Sequence, residues 1–151
     1  MPDPVPVTVS VEVARPRQEV FDYVDVAANH EKWMDRLFKD WHFEGPKRGV
    51  GAISKAQVNA PTAREMVTIE VVEAVAPERI VEEGENAHGK RKTRGTYRFV
   101  ELDGGRTRIE FELEWLKTPR SERLVPFLSR AFMRRANGKG MKRLAALLEK
   151  G

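Results

Sequence analysis

The stretch TRIEFELEW, Thr107 to Trp115, alternates apolar and charged side chains without a break. Ile109, Phe111, Leu113 and Trp115 fall on one face of a strand, and Arg108, Glu110, Glu112 and Glu114 on the other. That is the pattern of a half-buried strand. The preceding GTYRFVEL supplies its partner. For Tyr97 and Phe99 to share the inner face, the opposed pairs must be Phe99–Ile109 and Tyr97–Phe111. A two-residue turn at Asp103-Gly104 would set Phe99 against Arg108, because a slip of one residue inverts every side chain. A three-residue loop, Asp103-Gly104-Gly105, restores the register and offers glycine for a left-handed position. The same register sets Arg98 against Glu110 and Arg94 against Glu114, opposite-charge pairs worth up to about 1 kcal/mol each.

The rest of the chain reads around this hairpin. VPVTVSVEV (Val5 to Val13) is a first strand. In ARPRQEVFDYVDVA, Pro16 suits a first helical turn, and Val20, Phe21 and Val24 form an apolar stripe. NHEKWMDRLF reads as a second short helix, with Asn29 as N-cap and Trp33 and Leu37 one turn apart. DWHFEG, GAISKAQV, REMVTIEVVEAV and RIVEEGE are strand-like and separated by Gly, Pro or charged breaks. From Thr118 to Lys150 the pattern is helical. With no repeat, low-complexity tract or linker, residues 1–151 are expected to form a single domain.

Composition narrows the class. No apolar run approaches the roughly 20 residues of a membrane span, and MPDPVPV lacks a basic-then-apolar leader pattern. A cytoplasmic address is the expectation, and an integral membrane protein is not. The absence of cysteine removes disulfides, thiolate metal sites and a cysteine nucleophile. A net charge of +4 raises the question of nucleic acid. The basic residues lie in KRKTR (Lys90 to Arg94) and along the last helix, at Arg130, Arg134, Arg135, Lys139, Lys142 and Arg143. A groove for single strands needs aromatics interleaved with a basic stripe, and here the aromatics sit on inward strand faces. No nucleic-acid partner is expected.

The order is thus strand, two short helices, about six antiparallel strands and one long helix. In VSVEVARPRQEVFDYVDVAANHEKW, GTYRFVELDGGRTRIEFELEW and MKRLAALLEK the chain resembles the START-like superfamily. Birch-pollen-type plant allergens and bacterial polyketide cyclase/dehydrase-like proteins share this fold. The resemblance spans essentially the whole chain. It implies an α+β helix-grip fold, with a curved antiparallel sheet of about seven strands around the C-terminal helix. It also implies a cavity between sheet and helix, typically about 300–1,000 Å³ in such pockets. Ile109, Phe111, Leu113 and Trp115 would then face a space that the helix only partly fills. Along that helix Leu124, Leu128, Ala131, Gly138, Met141, Ala145 and Leu148 lie roughly on one face, and the small Ala131 and Gly138 leave volume opposite the aromatics. Close helix–sheet packing is the plain alternative.

The resemblance implies an apolar or aromatic small molecule, or a lipid, as occupant. Its ligand-binding set would be Trp33, Tyr97, Phe99, Ile109, Phe111, Leu113, Trp115, Leu128 and Ala131, with Arg64 for orientation. Access is expected past Trp33 and the NAPTARE loop. Two further functions fit the superfamily: a polyketide aromatase/cyclase or dehydratase, and a lipid or quinone carrier or assembly factor docking a partner surface. Cyclases of this type hold a poly-β-ketone with interior polar residues, and Arg64 and Tyr97 are the analogues here. A surface arginine is the plain reading of Arg64. The sequence offers few other interior ionisable groups, which weighs against acid–base work. Asp40, His42 and Glu44 share one strand face, but Trp41 and Phe43 claim the interior, so the trio reads as solvated. Neither His30 nor His88 has a partner at metal-ligand spacing, and GVGA and NGKGMKR match no phosphate loop. No metal or cofactor is expected.

Overall fold

The computed structural model describes residues 5–59, 65–120 and 126–150. Its strands are β1 (Val7–Val13), β2 (Phe38–Glu44), β3 (Ile53–Val58), β4 (Met66–Val75), β5 (Arg79–Asn86), β6 (Arg91–Leu102) and β7 (Arg106–Lys117). They pair antiparallel in the spatial order β1-β7-β6-β5-β4-β3-β2. Between β1 and β2 run α1 (Arg17–Asp25) and a 3₁₀ helix (Ala27–Lys32), and α2 (Pro126–Lys150) follows β7. This is the helix-grip arrangement.

The β6–β7 hairpin has the register that the alternation requires. Tyr97 opposes Phe111 and Phe99 opposes Ile109, around Asp103-Gly104-Gly105. Both glycines take left-handed φ, 74° and 72°, where a Cβ is penalised. Nothing lies within 4 Å of the Cβ that Gly105 would gain. Gly105→Ala should therefore cost about 1 kcal/mol through the backbone alone, measurable by urea denaturation. The outer ion pairs depart from the opposed register. Arg94 reaches across to Glu83 on β5 at 2.9 Å, and Arg98 reaches diagonally to Glu112 at 3.3 Å. Long guanidinium stems permit this, and these pairs are too exposed to add much stability.

Helix α1 buries Val20, Phe21 and Val24, with Pro16 as its extended N-cap rather than its first helical residue. Phe21 meets Phe99 edge to face at 5.7 Å. The next segment is a 3₁₀ helix that begins before Asn29 and ends before Trp33. Asn29 does not cap it; the side-chain amide donates to the Tyr23 carbonyl at 2.9 Å.

Two local features shape the concave side of the sheet. Phe38 and Trp41 have opposite parity, so a regular strand would put them on opposite faces. A bulge in β2 between Lys39 and His42, with Asp40 at φ 55°, inserts one residue and turns both rings inward. On α2 the buried stripe is Asn137, Met141, Leu144, Ala145 and Leu148. Ala131 is exposed. It lies about 120° around the helix from Asn137, so the inward face runs through Asn137 and Met133 rather than through Ala131 and Gly138. Gly138 opens on empty space, whereas a Cβ on Gly140 would stand 2.9 Å from the Met34 sulfur. The close approach of α2 to the 3₁₀ segment therefore runs through Gly140. Leu124 lies outside the described residues.

The solid core lies where α1 and the C-terminal half of α2 meet the sheet, around Phe21, Phe99, Ile109, Leu144 and Leu148. Toward the N-terminal half of α2 the packing opens.

Candidate functional site

The opening is a cavity of about 680 Å³ between the concave sheet and α2. One wall is β7, with Phe111, Leu113 and Trp115, beside Tyr97 of β6; the facing wall is Phe38 and Trp41 of β2. Phe132, Met133 and Asn137 of α2 cover it, and Met34 and His30 close the end nearest α1. Leu128 and Phe132 line it yet remain 56% and 49% exposed, so the open side is at the first turns of α2.

Tyr97, Phe111, Leu113, Trp115 and Leu128 thus stand together on one cavity. Phe99 and Ile109 do not, because the solid core beside α1 takes them. Trp33 is 1% exposed and packs at 4.6 Å on His30. It lines only a smaller hollow of about 190 Å³, so access past Trp33 is not what the packing provides. Ala131 points to solvent, and Arg64 lies outside the described residues.

Glycines make the concave wall possible. An ideal Cβ on Gly95 would meet the Phe111 ring at 2.8 Å and Glu82 Cγ at 3.4 Å. Only a bare backbone there lets that ring and that carboxyl side chain share the wall.

Glu82 is the cavity-lining residue that the sequence reading passed over. Strand β5 turns Ile80, Glu82, Gly84 and Asn86 inward, since Ile80 opposes Tyr97 and Glu82 opposes Gly95. The signal was present in RIVEEGE. Two consecutive glutamates in one strand must face opposite ways, so one carboxyl has to point in. Glu83 points out to Arg94. Glu82 lines the cavity at 9% exposure, and among the described residues it has no ion pair and no hydrogen-bond donor. Burial lifts its pKa to about 7.

Three neighbours complete the polar end. Tyr97 is held well above its ordinary pKa, first by burial and then by the Glu82 charge, and stays a phenol. The buried Trp33 Nε1 approaches its hydroxyl without completing a hydrogen bond. His30 donates from Nε2 to the Val24 carbonyl at 2.9 Å, and burial lowers its pKa to about 4, so it is neutral with Nδ1 unprotonated. The Asn137 Nδ2 is buried without a partner among the described residues. Nearer the rim, Arg91 is ion-paired with Glu65 at 3.0 Å.

The other candidates remain peripheral. Asp40, His42, Glu44 and His88 are exposed. Of the basic loop and helix, Lys92 pairs with Glu85, Arg143 with Asp35, and Arg130 donates to the Val5 carbonyl. Among the described residues no three His, Asp or Glu side chains come together to hold a metal ion, and no helix is long and apolar enough to cross a membrane.

A curved sheet gripping a terminal helix around an apolar cavity with few polar groups defines a class of ligand-enclosing domains. The family follows: residues 4–149 match the model described as polyketide cyclase / dehydrase and lipid transport, and the chain belongs to that family. No curated protein matches the chain significantly. Among solved structures, a conserved protein from Geobacillus kaustophilus superposes with a TM-score of 0.78 at 12% identity, covering 97% of this chain and 96% of that one. The protein TTHA0849 from Thermus thermophilus gives 0.74 at 16% identity, with 94% and 95% covered. The Zhui aromatase/cyclase from Streptomyces sp. R1128 gives 0.73 at 15% identity, with 97% and 94% covered. At these identities the likeness establishes the fold.

Proposed function

We propose that the protein binds a ring-containing, largely apolar small molecule between its sheet and α2. The observation that carries this reading is the cavity itself. Its 680 Å³ falls within the range of small-molecule sites, and its walls are aromatic with a few convergent polar groups. Burial of apolar surface, at roughly 25 cal/mol per Å², supplies most of the affinity. Tyr97 and Asn137 fix orientation.

Trp41 and Trp115 both line the cavity, so binding should quench intrinsic fluorescence. Titration with a naphthyl alcohol is expected to saturate. Trp115→Ala should weaken it about tenfold, as loss of a stacked aromatic wall costs about 1.5 kcal/mol. Saturable binding that Trp115→Ala leaves unchanged would place the ligand elsewhere and sink the reading. Salt should matter little, in contrast to docking through the basic face of α2, which would fade as ionic strength rises.

A second reading, a polyketide cyclase or dehydratase, is favoured by one observation. Glu82 is an interior carboxyl with a pKa near neutrality, the property required of a general base or acid. On this reading Glu82→Gln abolishes turnover of a poly-β-ketone while leaving its binding intact. On the binding reading no turnover is seen with either protein.

A further inference from the structure

Resting on the reading that this cavity holds a small molecule, we infer that the occupant carries a basic nitrogen, bound as a cation against Glu82 and the surrounding ring faces. Among the described residues four ionisable side chains other than tyrosine line the cavity: His30, Glu65, Glu82 and Arg91. Glu65 and Arg91 neutralise one another at 3.0 Å. His30 is uncharged, its Nε2–H committed to the Val24 carbonyl. Glu82 is left as the one lining group whose charge nothing else among the described residues compensates.

Among the described residues Glu82 has no ion pair and accepts no hydrogen bond. From β4 it faces Val71, directly opposed to it, and Ile69. From β6 it faces Gly95, with Thr93 and the phenol of Tyr97 diagonal to it. Across the cavity α2 contributes Leu128, Ser129, Phe132, Met133 and Asn137, none of them charged. An ionised carboxyl buried in such a place is costly unless paired. A ligand ammonium would supply both the missing charge and the missing N–H donors. The neighbouring walls favour the same chemistry, since Tyr97, Phe111 and Trp115 line the cavity and aromatic rings attract cations. Asn137 Nδ2, buried without a partner among the described residues, adds a donor for an oxygen elsewhere on the occupant. A carboxylate-bearing molecule would set like charges together and is disfavoured.

The sign of the proton linkage follows. A bound cation favours ionised Glu82, so amine binding releases protons and tightens as pH rises through about 7. If only the ionised form binds, affinity rises about tenfold between pH 6 and pH 8, following the ionised fraction. A neutral ligand shows no such rise.

The test compares 2-naphthylmethylamine, 2-naphthylmethanol and 2-naphthoic acid by calorimetry, in buffers of different ionisation enthalpy, on the full chain and on Glu82→Gln. The expected result is an amine preference of at least about tenfold over the alcohol at pH 8, with close to one proton released per amine bound at pH 6 and about a tenth of one at pH 8. In Glu82→Gln that preference should vanish while alcohol affinity holds. Equal or tighter binding of the alcohol or the acid by the wild type, or an amine preference that survives in Glu82→Gln, overturns the inference and leaves the cavity reading standing. If none of the three binds either protein, cavity reading and inference fall together.

Discussion

Glu82→Gln should gain stability over the wild type as pH rises, by about 2.5 kcal/mol between pH 5 and pH 8. The group has a folded pKa of about 7 against 4.5 for an ordinary glutamate. Between those values the unfolded chain releases a proton that the native protein keeps. Wild-type stability is therefore whole below pH 4.5 and falls as pH rises through 7, by about 1.4 kcal/mol per unit of separation. Glutamine fills the same space and has nothing to ionise. For a domain of this size the difference is on the order of 10 °C in melting temperature at pH 8 and roughly a quarter of that at pH 5.

His30 gives the opposite slope. Its pKa falls from 6.5 to about 4 on burial, so its contribution is complete above pH 6.5 and is lost as pH drops toward 4. In the wild type the two slopes oppose one another between pH 4.5 and 6.5, and stability should be nearly flat there. Removing the Glu82 carboxyl should expose the rise due to His30. Thermal melts of both proteins across pH 4 to 8 decide the matter; parallel curves would show that Glu82 is not buried as described.

Gly95→Val is the second large effect, expected to cost about 3 kcal/mol or more by overpacking. Gly95 is on β6, paired on both sides by β5 and β7, so its backbone cannot withdraw. The first added carbon would already stand 2.8 Å from the Phe111 ring, which is itself held at 4.5 Å against Tyr97. The ring can yield only toward the cavity. The substitution should thus lower the urea midpoint and weaken naphthyl ligands together. A stable variant with unchanged binding would mean that this wall is softer than the contacts imply.

These two sites mark where the sequence was and was not readable. The β6–β7 register was legible because alternation and loop length each fix parity and agree. Helix α1 was legible from Val20, Phe21 and Val24. Strand RIVEEGE was harder: period two demands one inward glutamate, but its faces are set only by pairing with Tyr97 and Gly95, far along the chain. On α2 the inward stripe contains a polar Asn137, which a search for apolar residues skips, and Ala131 took its place. The inward turn of both Phe38 and Trp41 rested on Asp40 adopting a left-handed conformation, and nothing in FKDWHFE announces that. Trp33, Phe99 and Ile109 had the right character for a cavity wall, but a solid core asks for the same side chains.

The bulge at Asp40 has a second consequence, for solubility. Strand β2 is an outer strand of the sheet, with no strand beyond it among the described residues, and such an edge could template another copy of the chain. The extra residue interrupts the regular spacing of the edge amides and carbonyls, and Lys39, Asp40 and Glu44 place charge along it. One irregular residue therefore both turns an indole toward the cavity and spoils the strand as a surface for self-association. A variant that straightened β2 would move Trp41 out of the cavity wall and leave a flat, adhesive margin in its place.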